Sequence, residues 1–210
     1  MTLQTLQHLP DSKKEELFER LGIQSLQDLK FLGKGGYANV YWLPDKKRVF
    51  KITKDKEDAQ ASGNIQGKRT THLVRTYDVF QIDRTYYGIV NEKLTPLSSS
   101  KANAWKMLTN LYYDDVDNLF WDLPMISQDG LTPQWVMAFK DAVFSSAYGE
   151  NAEILEDEFD ELLMFSTELV KYRIQWRDWY HENIMNRGRT PVISDLGGGT
   201  ISPRVNIPDV

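Results

Sequence analysis

The stretch WRDWYHENIMNRGRTPVISDLGGG, Trp176 to Gly199, sets Asp178 five positions before Asn183 and Asp195 twelve positions after it, with Leu196 and Gly197 following. Carboxylate and amide oxygens are hard donors suited to Mg²⁺, which takes one or two protein ligands and completes its shell with phosphate and water. A carboxylate in the same stretch can orient a hydroxyl and accept its proton. Far upstream, LGKGGYANV places Gly33, Gly35 and Gly36 ahead of Val40, and Lys51 follows in RVFKIT. Glycines between two strands leave room for phosphate oxygens to approach the backbone. A lysine flanked by apolar residues on a strand needs an anionic partner if it is buried. A phosphate cradle, a cation, metal ligands and a base are what phosphoryl transfer from ATP asks of a protein. Each feature alone has a plainer reading: a hairpin turn, an edge lysine, a helix cap. The ordered set does not.

The elements that must position these residues follow from pattern and punctuation. LPDSKKEELFERLG reads as a helix capped by Ser12, with Glu15 in the capping-box position, Gly22 as its stop, and Leu17, Phe18 and Leu21 on one face. From 28 to 94, FLGKGGYANVYWL, RVFKIT, LVRTYDVFQI and TYYGIVNEKL are short segments rich in Val, Ile, Tyr and Phe, which predicts a small antiparallel sheet. Strand alternation puts Val49 and Lys51 on one face and Phe50 and Ile52 on the other. The polar segment TKDKEDAQASGNIQGK reads as a helix across that sheet. From Ser98 the period lengthens to a helical one, through Ala102, Trp105, Leu108 and Tyr112. A second helix is predicted from Thr132–Pro133, with Trp135, Val136, Phe139, Val143 and Phe144 inward and Gly149 at its end. Asn151 caps a third, with Ile154, Leu155, Phe159, Leu162, Leu163, Leu169 and Val170 on one side and the acids on the other. VIS before Asp195 is a short buried-strand signal. The order predicts three parts: a helical extension over 1–27, a strand-rich region over 28–94 and a helical region over 95–210.

Composition narrows the class. A net charge of −5 argues against nucleic-acid or anionic-membrane partners. With no cysteine and only three histidines, disulfides, thiolate chemistry and a structural zinc are not expected. No apolar run reaches the roughly 18 residues of a membrane span, and the first residues lack a signal-peptide pattern. A cytoplasmic protein is expected.

These residues together resemble the protein kinase-like family. Gly33, Gly35 and Val40 match its glycine loop and Lys51 its phosphate-contacting lysine. Arg177 and Asp178 match its catalytic-loop Arg-Asp, Asn183 its second metal ligand, and Asp195-Leu196-Gly197 its metal motif. LVRTYDVF and TYYGIVNEKL look like the fourth and fifth strands leading into the hinge. The resemblance covers about 28 to 200, and its finer likeness is to compact serine/threonine kinases of lytic phages. It implies an α+β, two-lobe fold with a small antiparallel sheet in the N-lobe and an abbreviated helical C-lobe. It also implies ATP and Mg²⁺ as cofactors, Asp178 as base with Lys51 on the phosphates, and Asn183 and Asp195 on the metal. Adenine contacts would come from the backbone around Glu92 to Leu94, with Val40 against the ring.

The pattern departs from the family in several places. Ala38 replaces the third loop glycine, which Gly36 can offset; Trp176 replaces a histidine; Leu196 replaces Phe. The helix acid that pairs with the strand lysine should fall near Gly63 to Gln66, where there is none, and Glu57 is the nearest candidate, reading better as the start of the helix. Lys51 is then left to phosphate and Asp195. Tyr180 stands where serine/threonine kinases carry lysine and aminoglycoside phosphotransferases carry histidine. Thirteen residues after Gly197 are few for an activation segment. The main expectation is a protein Ser/Thr kinase with protein substrates. The alternatives are a small-molecule phosphotransferase and a non-catalytic pseudokinase.

Overall fold

The computed structural model describes residues 3–113, 141, 152–174, 176, 180–197 and 207–210. Asp178, the helix expected from Thr132 and its predicted cap-to-stop residues, and the cap Asn151 lie outside them. Among the described residues no helix is long and apolar enough to cross a membrane. The chain divides into two compact units, one of 1–69, 75–93 and 202–210, the other of 70–74 and 94–201.

The first unit is built on a five-stranded antiparallel sheet. Its strands are β1 (Lys30–Lys34), β2 (Ala38–Trp42), β3 (Arg48–Thr53), β4 (Thr76–Gln81) and β5 (Tyr87–Glu92), in the order β1-β2-β3-β5-β4. Helices α1 (Leu3–Leu6) and α2 (Asp11–Leu21) precede it, and α3 (Lys56–Ile65) joins β3 to the segment before β4. Because strand side chains alternate, each face buries its own set. Phe50, Ile52, Phe80 and Val90 pack with Leu17 and Leu21 of α2 on one face. Val79, Tyr87 and Ile89 pack with Ala59 of α3 on the other. The polar segment thus forms its helix, and the strand alternation expected for β3 is observed.

Helix α2 begins one residue before the predicted cap. Ser12 lies inside the helix, and the N-cap is Pro10, whose carbonyl accepts the N–H groups of Lys13 and Lys14 at 3.0 Å. Proline's fixed φ, −54° here, already sets the turn into the helix, so no serine cap is used. Gly22 ends α2 as expected, at φ 65°, a left-handed conformation that glycine adopts without strain.

In the second unit, β6 (Thr95–Pro96), β7 (Ile184–Arg187) and β8 (Thr190–Ile193) form a small sheet beside α4 (Ser99–Tyr113) and α5 (Ala152–Tyr172). Trp105 and Leu108 of α4, and Leu155, Phe159, Leu162, Phe165 and Leu169 of α5, are buried, with the Trp105 and Phe165 rings stacked at 5.0 Å. Of the predicted stripes, Ala102, Ile154, Leu163 and Val170 are half-buried, and the Tyr112 side chain is outside the description. The acids of α5 are not all on the outer side. Glu158 is 1% exposed, held by the Lys101 ammonium at 2.6 Å and by the Trp105 indole N–H. A buried carboxylate with two charge-satisfying partners is tolerable where an unpaired one is not.

The α+β architecture, with a small antiparallel sheet ahead of a helix-rich region, is the one the kinase-like resemblance implies. Gly88 on β5 leaves room for the stacked Phe50 and Phe80 rings, 6.0 Å apart. A Cβ built on Gly88 would lie 2.4 Å from Phe80 Cε2 and 2.9 Å from Phe50 Cε2. Gly88→Ala is expected to destabilise the chain by about 1–3 kcal/mol, the usual cost of overpacking a core. Urea denaturation checks this, and adding Phe80→Leu should recover part of the loss.

Candidate active site

Lys51 sits in the middle of β3, opposite Val40 on one side and Ile89 on the other. It is 7% exposed, and its ammonium lies 2.8 Å from the Asp58 carboxylate of α3. Asp58 is itself 2% exposed. This corrects the sequence reading, which found no acid for Lys51 on the helix and left it to phosphate and Asp195. Counting back from β4 assumed a short link, but the stretch from 66 to 75 separates α3 from β4, so the acid lies earlier than the count placed it. Glu57 is exposed in the first turn, and the helix cap is Asp55, whose carboxylate accepts the N–H groups of Glu57 at 2.8 Å and Asp58 at 3.2 Å. The sequence signal was the Asp55 cap itself, since it fixes Asp58 in the first turn of a helix three residues past β3.

The glycine loop joins β1 to β2. Gly33 pairs with Val40 across the hairpin, and the Gly35 N–H donates to the Ala38 carbonyl at 2.9 Å. None of Gly33, Gly35 and Gly36 has a positive φ. A Cβ at Gly33 or Gly36 would meet nothing within 4 Å, and one at Gly35 would meet only the Ala38 carbonyl, at 3.9 Å. Folding of the described chain therefore does not demand glycine at 33 or 36. Side chains there would instead fill the space over the loop. Val40 is half-buried, and from β2 it lies directly opposite Lys51 of β3.

Glu92 ends β5 and is 8% exposed. Its carboxylate accepts the Arg75 N–H at 2.8 Å, and its own N–H donates to the Arg75 carbonyl at 2.9 Å. The Lys93 N–H donates to the Lys47 carbonyl at 2.8 Å. Those backbone donors are taken by the residues just before β4 and β3. Leu94, 8% exposed, belongs to the second unit.

In the second unit the β7–β8 hairpin brings Asn183 and Asp195 to one end. Ile184 pairs with Ile193, and beyond that pair the Asn183 carbonyl accepts the Ser194 N–H at 2.7 Å and its hydroxyl at 2.8 Å. A 3₁₀ turn, His181–Asn183, presents Asn183, whose N–H donates to the Tyr180 carbonyl at 2.9 Å. Asp195 follows two residues after β8, its carboxylate accepting the Gly197 N–H at 3.1 Å. Trp176, 1% exposed, donates its indole N–H to the Asp195 carbonyl at 3.0 Å. Trp176 thus fixes the backbone at Asp195. Among the described residues no three His, Cys, Asp or Glu side chains form a metal cluster. An amide oxygen and a single carboxylate still fit Mg²⁺, which accepts few protein ligands when phosphates supply others.

The support for β8 is a polar clamp that the sequence did not reveal. Segment 70–74 pairs in parallel with β8 through Val74 N–H to the Ile193 carbonyl and Ile193 N–H to the His72 carbonyl, at 3.0 and 2.9 Å. The Glu168 carboxylate of α5 accepts the N–H groups of Thr71, His72 and Leu73, at 2.7 to 3.1 Å. The Arg187 guanidinium donates to the carbonyls of Thr70, Thr71 and Leu73, at 2.7 to 3.0 Å. Irregular backbone is thereby satisfied on both its donor and acceptor sides.

Comparison with known proteins adds likenesses of shape. No protein-family model and no curated protein sequence matches the chain. Among solved structures, aminoglycoside phosphotransferase APH(4)-Ia is similar over 90% of this chain and 72% of its own, at 12% identity and a TM-score of 0.40. A thermostable mutant of it, in ternary complex with ADP and hygromycin B, aligns over 87% and 70% at 10% identity and a TM-score of 0.39. The GDP and kanamycin complex of APH(2")-IIia aligns over 90% and 73% at 16% identity and a TM-score of 0.39. At these identities and scores the likenesses assign neither an activity nor a site.

The Lys51–Asp58 pair yields a stability prediction. Asp58→Ala leaves an ammonium in the interior and is expected to cost about 3–5 kcal/mol, the usual penalty for removing one member of a buried pair. Lys51→Met with Asp58→Leu should cost far less than the sum of the two single changes. Additive losses in a denaturation double-mutant cycle would show that the two groups are not coupled.

Proposed function

We propose that this chain is an ATP- and Mg²⁺-dependent phosphotransferase of the kinase-like type, transferring the γ-phosphate to a hydroxyl. The observation that carries the reading is the buried pair that Lys51, on the sheet that also bears the glycine loop, makes with Asp58 of α3. A lysine costs free energy to bury, and a helix acid that holds it in a fixed pose gives a cation positioned for phosphate oxygens. The open space over Gly33 and Gly36 supports the same role for the loop.

The assignments run residue by residue. Lys51 holds the α- and β-phosphates, oriented by Asp58. Gly33, Gly35 and Gly36 leave backbone room for the phosphates, Val40 packs on the base, and the segment at Glu92 to Leu94 borders it. Asn183 and Asp195 hold magnesium, which when bound offsets phosphate charge. Asp178 orients the acceptor hydroxyl and takes its proton as the oxygen attacks the γ-phosphorus. The bond to the β–γ bridging oxygen breaks, and ADP leaves with that oxygen. The pseudokinase alternative drew on a missing helix acid and on the few residues after Gly197, and Asp58 supplies the helix acid.

The acceptor is a hydroxyl of a small molecule or of a protein Ser or Thr. Tyr180, 51% exposed, carries neither the lysine typical of serine/threonine kinases nor the histidine typical of aminoglycoside phosphotransferases. A small-molecule acceptor, such as the aminoglycosides bound in the similar solved structures, heads the screen, and protein or self-phosphorylation forms the second arm.

Incubation with γ-labelled ATP and a panel of acceptors tests the reading. Label should pass to an acceptor in a Mg²⁺-dependent manner, and Asp195→Asn should abolish it. Asp178→Ala should lower the rate about 10²- to 10⁴-fold, the range for loss of a general base, while ATP binding survives. Transfer at an unchanged rate in either variant would overturn the role given to that residue.

A further inference from the structure

The segment Ile207–Val210 docks on the free edge of β4. The Gln81 N–H donates to the Pro208 carbonyl at 2.7 Å and the Val210 N–H to the Gln81 carbonyl at 2.9 Å, so the segment runs parallel to β4 as a short added strand. Alternation sends its two apolar side chains to opposite faces of the sheet. Val210, 6% exposed, enters the cluster of Phe50, Phe80 and Ile82. Ile207 packs on the opposite cluster of Ala59, Val79, Tyr87 and Ile89. Ala59 belongs to α3 and directly follows Asp58, the partner of Lys51.

We propose that Ile207–Val210 is a positioning element that holds α3 against the sheet and thereby keeps Asp58 on Lys51. Helix α3 has little apolar surface of its own. Its buried residues are Asp58, Ala59, Gln60, Ala61, Ser62 and Ile65, three of them polar and two of them alanine. Burial of so small an apolar face contributes modestly to docking, so one further isoleucine on the Ala59 cluster is a substantial share of what fixes the helix. The two edge hydrogen bonds and the Val210 anchor set the register of Ile207 from the other face. A cavity of about 520 Å³, lined by residues including Gly63, Tyr77, Val79 and Ile207, lies beside it. That space lets a differently branched side chain be accommodated, so Ile207→Leu should keep the contact while Ile207→Asp should break it.

The functional consequence rests on the phosphotransferase reading; the structural one does not. The experiment therefore has two readouts on wild type, a chain ending at residue 206, Ile207→Asp and Ile207→Leu. Hydrogen exchange across Lys56–Ile65 reports whether α3 is held. Titration with Mg²⁺-ATP reports whether the Lys51–Asp58 pair is presented. The shortened chain and Ile207→Asp should show faster exchange in α3 with the rest of the sheet still protected, and Ile207→Leu should resemble wild type. A helix docked about one-tenth of the time would weaken apparent ATP affinity about tenfold. A peptide of residues 202–210 added to the shortened chain should restore both protection and affinity, which a simple loss of folding would not allow. Unchanged α3 exchange in the shortened chain overturns the proposal. So does faster exchange spread equally over the whole sheet and not reversed by the peptide. If wild type binds no nucleotide while α3 exchange responds as described, the positioning role stands and the phosphotransferase reading falls.

Discussion

The first unit is organised around a buried charge that needs a partner. Lys51 is placed inside by its strand, because Phe50 and Ile52 on the other face are fully buried and fix the alternation. An ammonium in that position needs an anion close by, and only two residues, Lys54 and Asp55, separate β3 from α3. The Thr53 hydroxyl accepts the Asp55 N–H at 3.0 Å, and the Asp55 carboxylate caps the helix. The partner therefore comes from the first turn, seven positions after Lys51. Aspartate is one methylene shorter than glutamate, so the helix must stand close to the sheet. Ala59, Ala61 and Ser62 on the buried side of α3 make that approach possible.

The second unit solves a comparable problem for backbone. Segment 70–74 is irregular, and its N–H and C=O groups would be costly to leave unmet. Glu168 takes the donors and Arg187 supplies the acceptors' partners, so the segment lies against β8 and steadies the strand that delivers Asp195. Trp176 then fixes the Asp195 carbonyl through its indole N–H. In both units the residues proposed for chemistry are held by charged or polar groups of the chain.

The sheet was readable from the sequence because its signals are local. Strand alternation in RVFKIT, the turn residues between strands and Gly22 after α2 each act through near neighbours in the chain. The strand that delivers Asp195 was legible from VIS, but its hairpin partner β7, which carries on from Asn183, was not. What escaped reading depends on distance along the chain. Asp58 was missed because the connection from α3 to β4 is longer than the count assumed. The clamp by Glu168 joins residues almost a hundred positions apart, and in sequence this acid looks like any other on the polar side of a helix. Glu158 was misplaced for the same reason: only the folded chain brings Lys101 and Trp105 to it. The Ser12 cap failed locally, since Pro10 had already set the turn.

The proposed function depends most on nucleotide binding: Lys51, held by Asp58, is proposed to meet the phosphates of ATP, and Asp195 to take Mg²⁺. Calorimetric titration of ATP into wild type, Lys51→Met, Asp58→Asn and Asp195→Asn, each with and without Mg²⁺, tests it most directly. The account predicts binding by wild type that strengthens with Mg²⁺, a weaker affinity in Lys51→Met and Asp58→Asn under both conditions, and loss of the Mg²⁺ enhancement alone in Asp195→Asn. Absence of ATP binding by wild type, or binding indifferent to both Lys51 and Asp195, would contradict it.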